Sequence, residues 1–128
     1  MANLTLVRSA IDAFNRRDVG TLCELMTEDV ELQPPVAALT GRAYVGHAGI
    51  AEWIGDVEES FASSRIEPIE LRDLGTQVLV LNEFRIEGHG SRVPLVSELG
   101  LLCEIADGRI SSWLGFYSHA DVLAAARG

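Results

Sequence analysis

Apolar residues at Leu4, Val7, Ala10, Ile11 and Phe14 recur every three to four positions, which places them on one stripe of a first helix ending near Arg17. Asp18 suits the N-cap of a short second helix carrying Leu22, Leu25 and Met26. Val30 and Leu32 alternate with Glu31 and Gln33 in a short strand that Pro34 and Pro35 terminate. Residues 36–45 read as a loop. A longer helix starts near Gly46 or His47, with Ile50, Trp53, Ile54, Val57 and Phe61 on one face and Glu52, Asp56, Glu58 and Glu59 mostly elsewhere. Strands are predicted from Ile66 to Leu74, Gln77 to Glu87, Val93 to Ile105 and Arg109 to Tyr117, with turns at Gly75, Gly88-His89-Gly90 and Ala106-Asp107-Gly108. Ser118 with Asp121 approximates a capping box for a short terminal helix through Val122 and Leu123. Helices followed by a run of strands predict an α+β domain over residues 1–128, with helices on one side of a curved, mostly antiparallel sheet.

Composition narrows the partners. Nineteen acidic against ten basic side chains leave a net charge of −9, which repels phosphate backbones and anionic lipid surfaces. Nucleic acid and membrane partners are not expected. No run is apolar enough to span a bilayer and the N-terminus lacks a signal-peptide layout, so a cytoplasmic location is expected. Cys23 and Cys103 stand far apart with no second Cys or His at zinc-ligand spacing, so they are read as ordinary buried thiols, with no metal or cofactor.

Four segments carry a resemblance: Ala13-Phe14-Asn15-Arg16-Arg17-Asp18, Thr27-Glu28-Asp29-Val30-Glu31, Tyr44-Val45-Gly46-His47-Ala48-Gly49-Ile50 and Asp107-Gly108-Arg109-Ile110-Ser111-Ser112-Trp113. In this order they resemble the SnoaL-like branch of the nuclear transport factor 2-like superfamily across essentially the whole chain. The resemblance implies a cone: a cystatin-like roll whose bent sheet wraps the long helix and opens into a pocket lined by alternate strand residues. Alternation assigns that lining to Val30, Leu32 and Pro34, to Ser97, Leu99, Leu101 and Cys103, and to Trp113, Gly115 and Tyr117. The fold hosts isomerases, cyclases, epoxide hydrolases, dehydratases and non-enzymatic binding proteins, so function must be read from the site.

Each of those chemistries makes demands on particular positions. Ketosteroid isomerase-like chemistry needs a carboxylate base and donors for an enolate oxygen. The resemblance places these groups at Pro34, near Leu101 and near Ala10, none of which can transfer a proton. Limonene epoxide hydrolase-like chemistry needs an acid and a base bridged by arginine; its final-strand aspartate aligns with Gly115, while Glu83 and Arg85 mimic the remaining pair in reversed order. Those two either face the pocket as a functional pair or form a solvated ion pair, because a shift of one residue replaces them with Phe84 and Ile86. SnoaL-like cyclases use a histidine and an aspartate. Here His47 reads as a helix-start residue that reaches the pocket or does not, His89 as an exposed turn residue and His119 as structural.

Trp53 and Phe61 are either core or ligand platform, and Trp113 and Tyr117 either contact a ligand or pack the core. Tyr44 either aims its hydroxyl at the pocket mouth or makes a structural hydrogen bond. The resulting expectation is a small, mainly apolar molecule held by Leu32, Trp53, Ser97, Leu99, Leu101, Trp113 and Tyr117, with Glu83, Arg85 and His47 as catalytic candidates. The alternative is a non-catalytic dimeric scaffold module. A homodimer through the convex sheet face is expected in either case, since Leu102 and Leu114 alternate with the pocket residues and would otherwise be exposed.

Overall fold

The computed structural model describes residues 1–37 and 41–127. Residues 38–40, within the loop expected over 36–45, and Gly128 lie outside the described residues. Helix α1 (Asn3–Asn15) buries Leu6, Val7, Ala10, Ile11, Ala13 and Phe14, and α2 (Val19–Leu25) begins where Asp18 accepts a 3.1 Å hydrogen bond from the Thr21 amide. Met26, expected in that helix, is instead the first residue of β1 (Met26–Gln33), because the strand begins as soon as the helix ends. The expected loop also contains a two-residue strand, β2 (Tyr44–Val45), before α3 (Gly46–Ser60). Phe61 closes α3 in extended conformation rather than continuing it. Strands β3 (Ser63–Asp73), β4 (Gln77–Glu87), β5 (Leu95–Ala106) and β6 (Arg109–Phe116) follow, and α4 (His119–Arg127) ends the described chain.

The fold is α+β, a curved sheet of six strands in the order β2-β1-β6-β5-β4-β3, antiparallel except for the β1–β6 pair. Pro68 lies in the edge strand β3, where a missing amide is tolerated, and the register against β4 shifts beside it. Asp107 and Gly108, with φ of 53° and 74°, make the tight β5–β6 turn that needs two left-handed residues.

Two apolar clusters lie on opposite faces of the sheet. The larger joins α1, α3 and the concave face, from Leu6 and Phe14 through Ile50, Trp53 and Ile54 to Val80, Leu101 and Trp113. The smaller sits on the convex face: Leu79 and Leu102 meet Val122 of α4, with Leu81, Leu114, Phe116 and Leu123 around them. Gly100 permits that contact, since a Cβ there would lie 2.4 Å from the Val122 side chain. Leu102 and Leu114 are therefore covered by the chain's own terminal helix, and the homodimer expectation loses the exposed patch that motivated it.

Candidate functional site

The segments that carry the resemblance act mainly as fasteners around the cone. Asn15, at the end of α1, pairs with the backbone of Ile66 in both directions, donating to its carbonyl at 2.9 Å and accepting from its amide at 2.8 Å. Arg17 donates to the Phe14 and Ser64 carbonyls, so the α1–α2 corner is tied to β3 as well. On the other side, Gly46 takes a φ of 73°, and Gly49 brings the first turn of α3 onto Tyr44, where a Cβ would lie 3.1 Å from the Tyr44 carbonyl carbon. That close approach seats the Tyr44 ring in the wall between β2 and α3.

The concave face and α3 enclose an open cavity of about 460 Å³, within the size range of small-molecule sites. Phe14, Trp53, Ile66, Phe84, Leu101 and Trp113 make much of its wall, and the rings of Phe14, Trp53 and Trp113 run in series with centroids 5.0 and 5.6 Å apart. Gly115 leaves room on β6 for Pro35, whose Cδ would lie 2.6 Å from a Cβ at that position. Pro34, Pro35 and Val36 close that side of the cavity.

One polar group in this wall is organised by others. The Tyr44 hydroxyl donates to Asp56 Oδ2 at 2.5 Å, and Arg42 Nη2 lies 3.4 Å from the same oxygen while donating to Glu52 at 2.7 Å. Arg42 also stacks over the Tyr44 ring. Burial, then the bond to Asp56 and its charge, push the Tyr44 phenol up to about 12, so it remains a donor through the neutral range. Both contacts converge on Oδ2, and no described residue donates to Asp56 Oδ1. A carboxylate oxygen that no described residue engages, in the wall of an apolar cavity, can accept a proton or a hydrogen bond from whatever fills that cavity.

Comparison with known proteins now places the chain. The SnoaL-like domain family matches residues 7–113. The chain belongs to that family. Among solved structures, TerC crystallised with polyporic acid shares 19% identity over 98% of each chain with a TM-score of 0.81. A nuclear transport factor 2-like protein of unknown function from Burkholderia pseudomallei K96243 shares 23% over 97% of each, with a TM-score of 0.81. A protein named as a candidate SnoaL-like polyketide cyclase from Shewanella denitrificans OS-217 shares 13% over 95% of this chain and 96% of its own, with a TM-score of 0.74. No curated protein is similar enough in sequence to match.

In this SnoaL-like domain, Trp53, Ser97, Leu99, Leu101, Trp113 and Tyr117 all border the cavity, Ser97 and Tyr117 at its exposed rim. Leu32 does not: it is fully buried in the core one step below Pro34, where it pairs in register with Tyr44 and Trp113. Glu83 and Arg85 lie on the face opposite Phe84 and Ile86, the β4 residues that line the cavity, and Arg85 pairs at 3.6 Å with Glu67 rather than with Glu83. His47 is spent at the start of α3, donating from Nε2 to the Met26 carbonyl at 3.2 Å. His89 Nε2 donates to the Glu59 carbonyl and His119 Nε2 to that of Asn82, and neither ring borders the cavity. Among the described residues no cluster of three or more His, Cys, Asp or Glu is arranged to hold a metal, and no helix is long and apolar enough to cross a membrane.

Asp56 is the residue that sequence reasoning missed. The helical wheel holds the signal: at about 100° per residue, Asp56 lies roughly 60° from Trp53, at the border of the apolar stripe rather than behind it. An acid at such a border can turn inward when a donor waits there, and Tyr44 is that donor.

Proposed function

We propose that this SnoaL-like domain holds a small, mainly apolar molecule in its cone and moves a proton on it, in a reaction of the cyclase or isomerase type, with Asp56 as the base. The observation that carries this reading is the open apolar cavity with one Tyr-held carboxylate in its wall. Family membership supports it at the level of reaction type, and a neighbour in fold crystallised with polyporic acid supports a small-molecule occupant. In such a step Asp56 Oδ1 takes a proton from carbon next to a carbonyl. The electron pair left behind shifts onto the carbonyl oxygen as an enolate, which then either regains a proton at another carbon or attacks a second carbonyl to close a ring. Tyr44 and Arg42 hold Oδ2, fixing the carboxylate's orientation, and the hydroxyls of Ser60, Ser97 and Tyr117 at the cavity are the donors within reach of an enolate oxygen. A base at Asp56, on a helix, takes over from Pro34, Leu101 and Gly115, where the resemblance would put proton-transfer groups.

The test needs no knowledge of the natural substrate. Exchange of the α-protons of 2-tetralone for deuterium, followed by NMR, should be accelerated by the protein, and Asp56→Asn should lose about 10²-fold or more of that acceleration. Equal exchange with wild type and variant removes Asp56 as the base. In parallel, 2-tetralone should quench the emission of Trp53 and Trp113, and quenching without exchange would leave a binding domain without catalysis. The dimeric scaffold reading draws no support from the cone, which is open, nor from the Leu79–Leu102 patch of the convex face, which α4 covers. A homodimer stays a separate proposal, decided by sedimentation at micromolar concentration.

A further inference from the structure

A second cavity of about 290 Å³ opens beside the cone, lined by Arg42 and Glu59 together with Pro34, Val36, Tyr44, Asp56 and Ser60. The last five also border the cone, so the Tyr44–Asp56 pair stands in a wall common to both spaces. The two differ in chemistry. The cone is walled mostly by rings and aliphatic side chains, with Asp56 and Glu98 as its carboxylates, whereas the smaller side cavity has among its described lining two carboxylates, Asp56 and Glu59, against one guanidinium, and Arg42 is already engaged by Glu52 and by Asp56 Oδ2. What the side cavity offers an incoming group is therefore acceptor oxygen, above all Asp56 Oδ1, which no described residue occupies.

Building on the function proposed above, we infer that the molecule this domain accepts has an apolar ring body for the cone and a neutral or cationic hydrogen-bond-donating end for the side cavity, and that carboxylate-ended molecules are rejected. The physical reason is local. A hydroxyl or ammonium reaching past the rings meets a carboxylate oxygen with unused lone pairs, gaining a charge-assisted hydrogen bond. A carboxylate in the same place faces Asp56 and Glu59, and the cation among the described lining residues, Arg42, is already paired with Glu52 and Asp56, so like charge and lost hydration both oppose it. Discrimination of this kind comes from the repulsive element as much as from the attractive one.

Three probes of one body and different ends decide it: 2-naphthylmethylamine, 2-naphthylmethanol and 2-naphthoate, titrated against the folded protein by quenching of Trp53 and Trp113 at neutral pH and moderate salt. The amine and the alcohol should bind at least tenfold tighter than the carboxylate. Asp56→Asn should shrink the amine-to-carboxylate gap below threefold, while Glu83→Gln, which removes the same unit of charge from the convex face away from both cavities, should preserve it. Equal affinity for the three probes, or tighter binding of naphthoate, overturns the inference and leaves the apolar cone standing. A gap that Asp56→Asn does not change overturns it too, since the preference would then come from the net charge of −9. Binding of none of the probes sinks the small-molecule reading itself. Melting curves of both variants confirm that each result comes from folded protein.

Discussion

The two faces of one sheet meet the same problem, an apolar surface that water disfavours, and solve it differently. On the convex side the chain finishes the job: α4 lays Val122 against Gly100, Leu79 and Leu102, and the contact is so close that no side chain fits at residue 100. On the concave side α1 and α3 bury most of the face, but Phe14, Trp53, Leu99 and Trp113 are left around an open cavity. A face closed by its own chain reads as structure, and a face built rigidly yet left open reads as a site. The polar residues follow the same division. Glu67 and Glu83 stand in register on the convex face, with Glu67 paired to arginine, whereas Asp56 and Glu98 border the cavity, Glu98 accepting the His119 amide at 2.8 Å and Asp56 keeping one oxygen that no described residue claims.

The largest effect should come from removing the convex cover. Truncation after Ser118 would expose Leu79, Leu102, Leu114 and Phe116 as one patch, and the expected outcome is concentration-dependent self-association with a clear fall in melting temperature. Sedimentation at several concentrations checks it. A truncated chain as monomeric and as stable as the full one would mean that α4 is an ornament and that the two faces differ less than their packing implies.

Two glycines sharpen the contrast at single-residue scale. Gly100 faces Val122 across the convex surface, and Gly115 faces Pro35 on the concave one. A methyl at either position must displace its neighbour, at about 1–3 kcal/mol of stability by the usual cost of overpacking. The functional consequences should separate: Gly100→Ala loosens α4 and leaves probe binding within twofold, while Gly115→Ala moves the Pro34–Pro35 wall and weakens it several-fold. Denaturant melts paired with tryptophan quenching measure both. Equal loss of binding in the two variants would show that the faces are coupled.

The contrast also explains what could be read from the sequence. Strand alternation found Ser97, Leu99, Leu101, Trp113 and Tyr117 at the cavity because period two is a local property of backbone geometry. The same alternation placed Leu102 and Leu114 on the other face but could not say what covers them, since docking of α4 is a contact between distant parts of the chain. Leu32 has the right phase and the wrong depth: the cone narrows, and Pro34, two residues on, is where β1 meets the open space. Asp56 needed knowledge that Tyr44 would be seated opposite it, a consequence of Gly46 and Gly49 bringing β2 and α3 together.

A smaller effect belongs to the concave wall alone. Tyr44 is held neutral in the fold with its phenol raised from an ordinary value near 10 to about 12. The sign follows from linkage: the stability due to neutral Tyr44 is fully present below about pH 10 and is lost as pH rises through about 12. Absorbance of phenolate should therefore show a step near pH 12 that Tyr44→Phe removes, and the fall in melting temperature between pH 10 and 12 should be shallower in that variant. If Tyr44→Phe instead removed a step near pH 10, the buried, Asp56-bonded state of Tyr44 would be absent in solution.

The smallest expected effect is the one that bears most directly on the epoxide-hydrolase-like alternative. Arg85 and Glu67 are both nearly half exposed, with side-chain accessibilities of 47% and 43%, and a solvated pair at 3.6 Å contributes at most about 1 kcal/mol. Glu83 lies between Glu67 and Glu98 in register, so Glu83→Gln removes a like charge and should be neutral or slightly stabilising. Arg85→Ala takes away one of the two arginine partners of Glu67, leaving Arg65, and should be neutral to slightly destabilising, by at most about 1 kcal/mol. Both variants should bind the naphthyl probes and exchange 2-tetralone protons as the parent does, because Phe84 and Ile86, not their neighbours, face the cavity. Loss of exchange in either variant, with melting temperature unchanged, would move the chemistry to the convex face and reverse the division between a closed face that folds the protein and an open face that uses it.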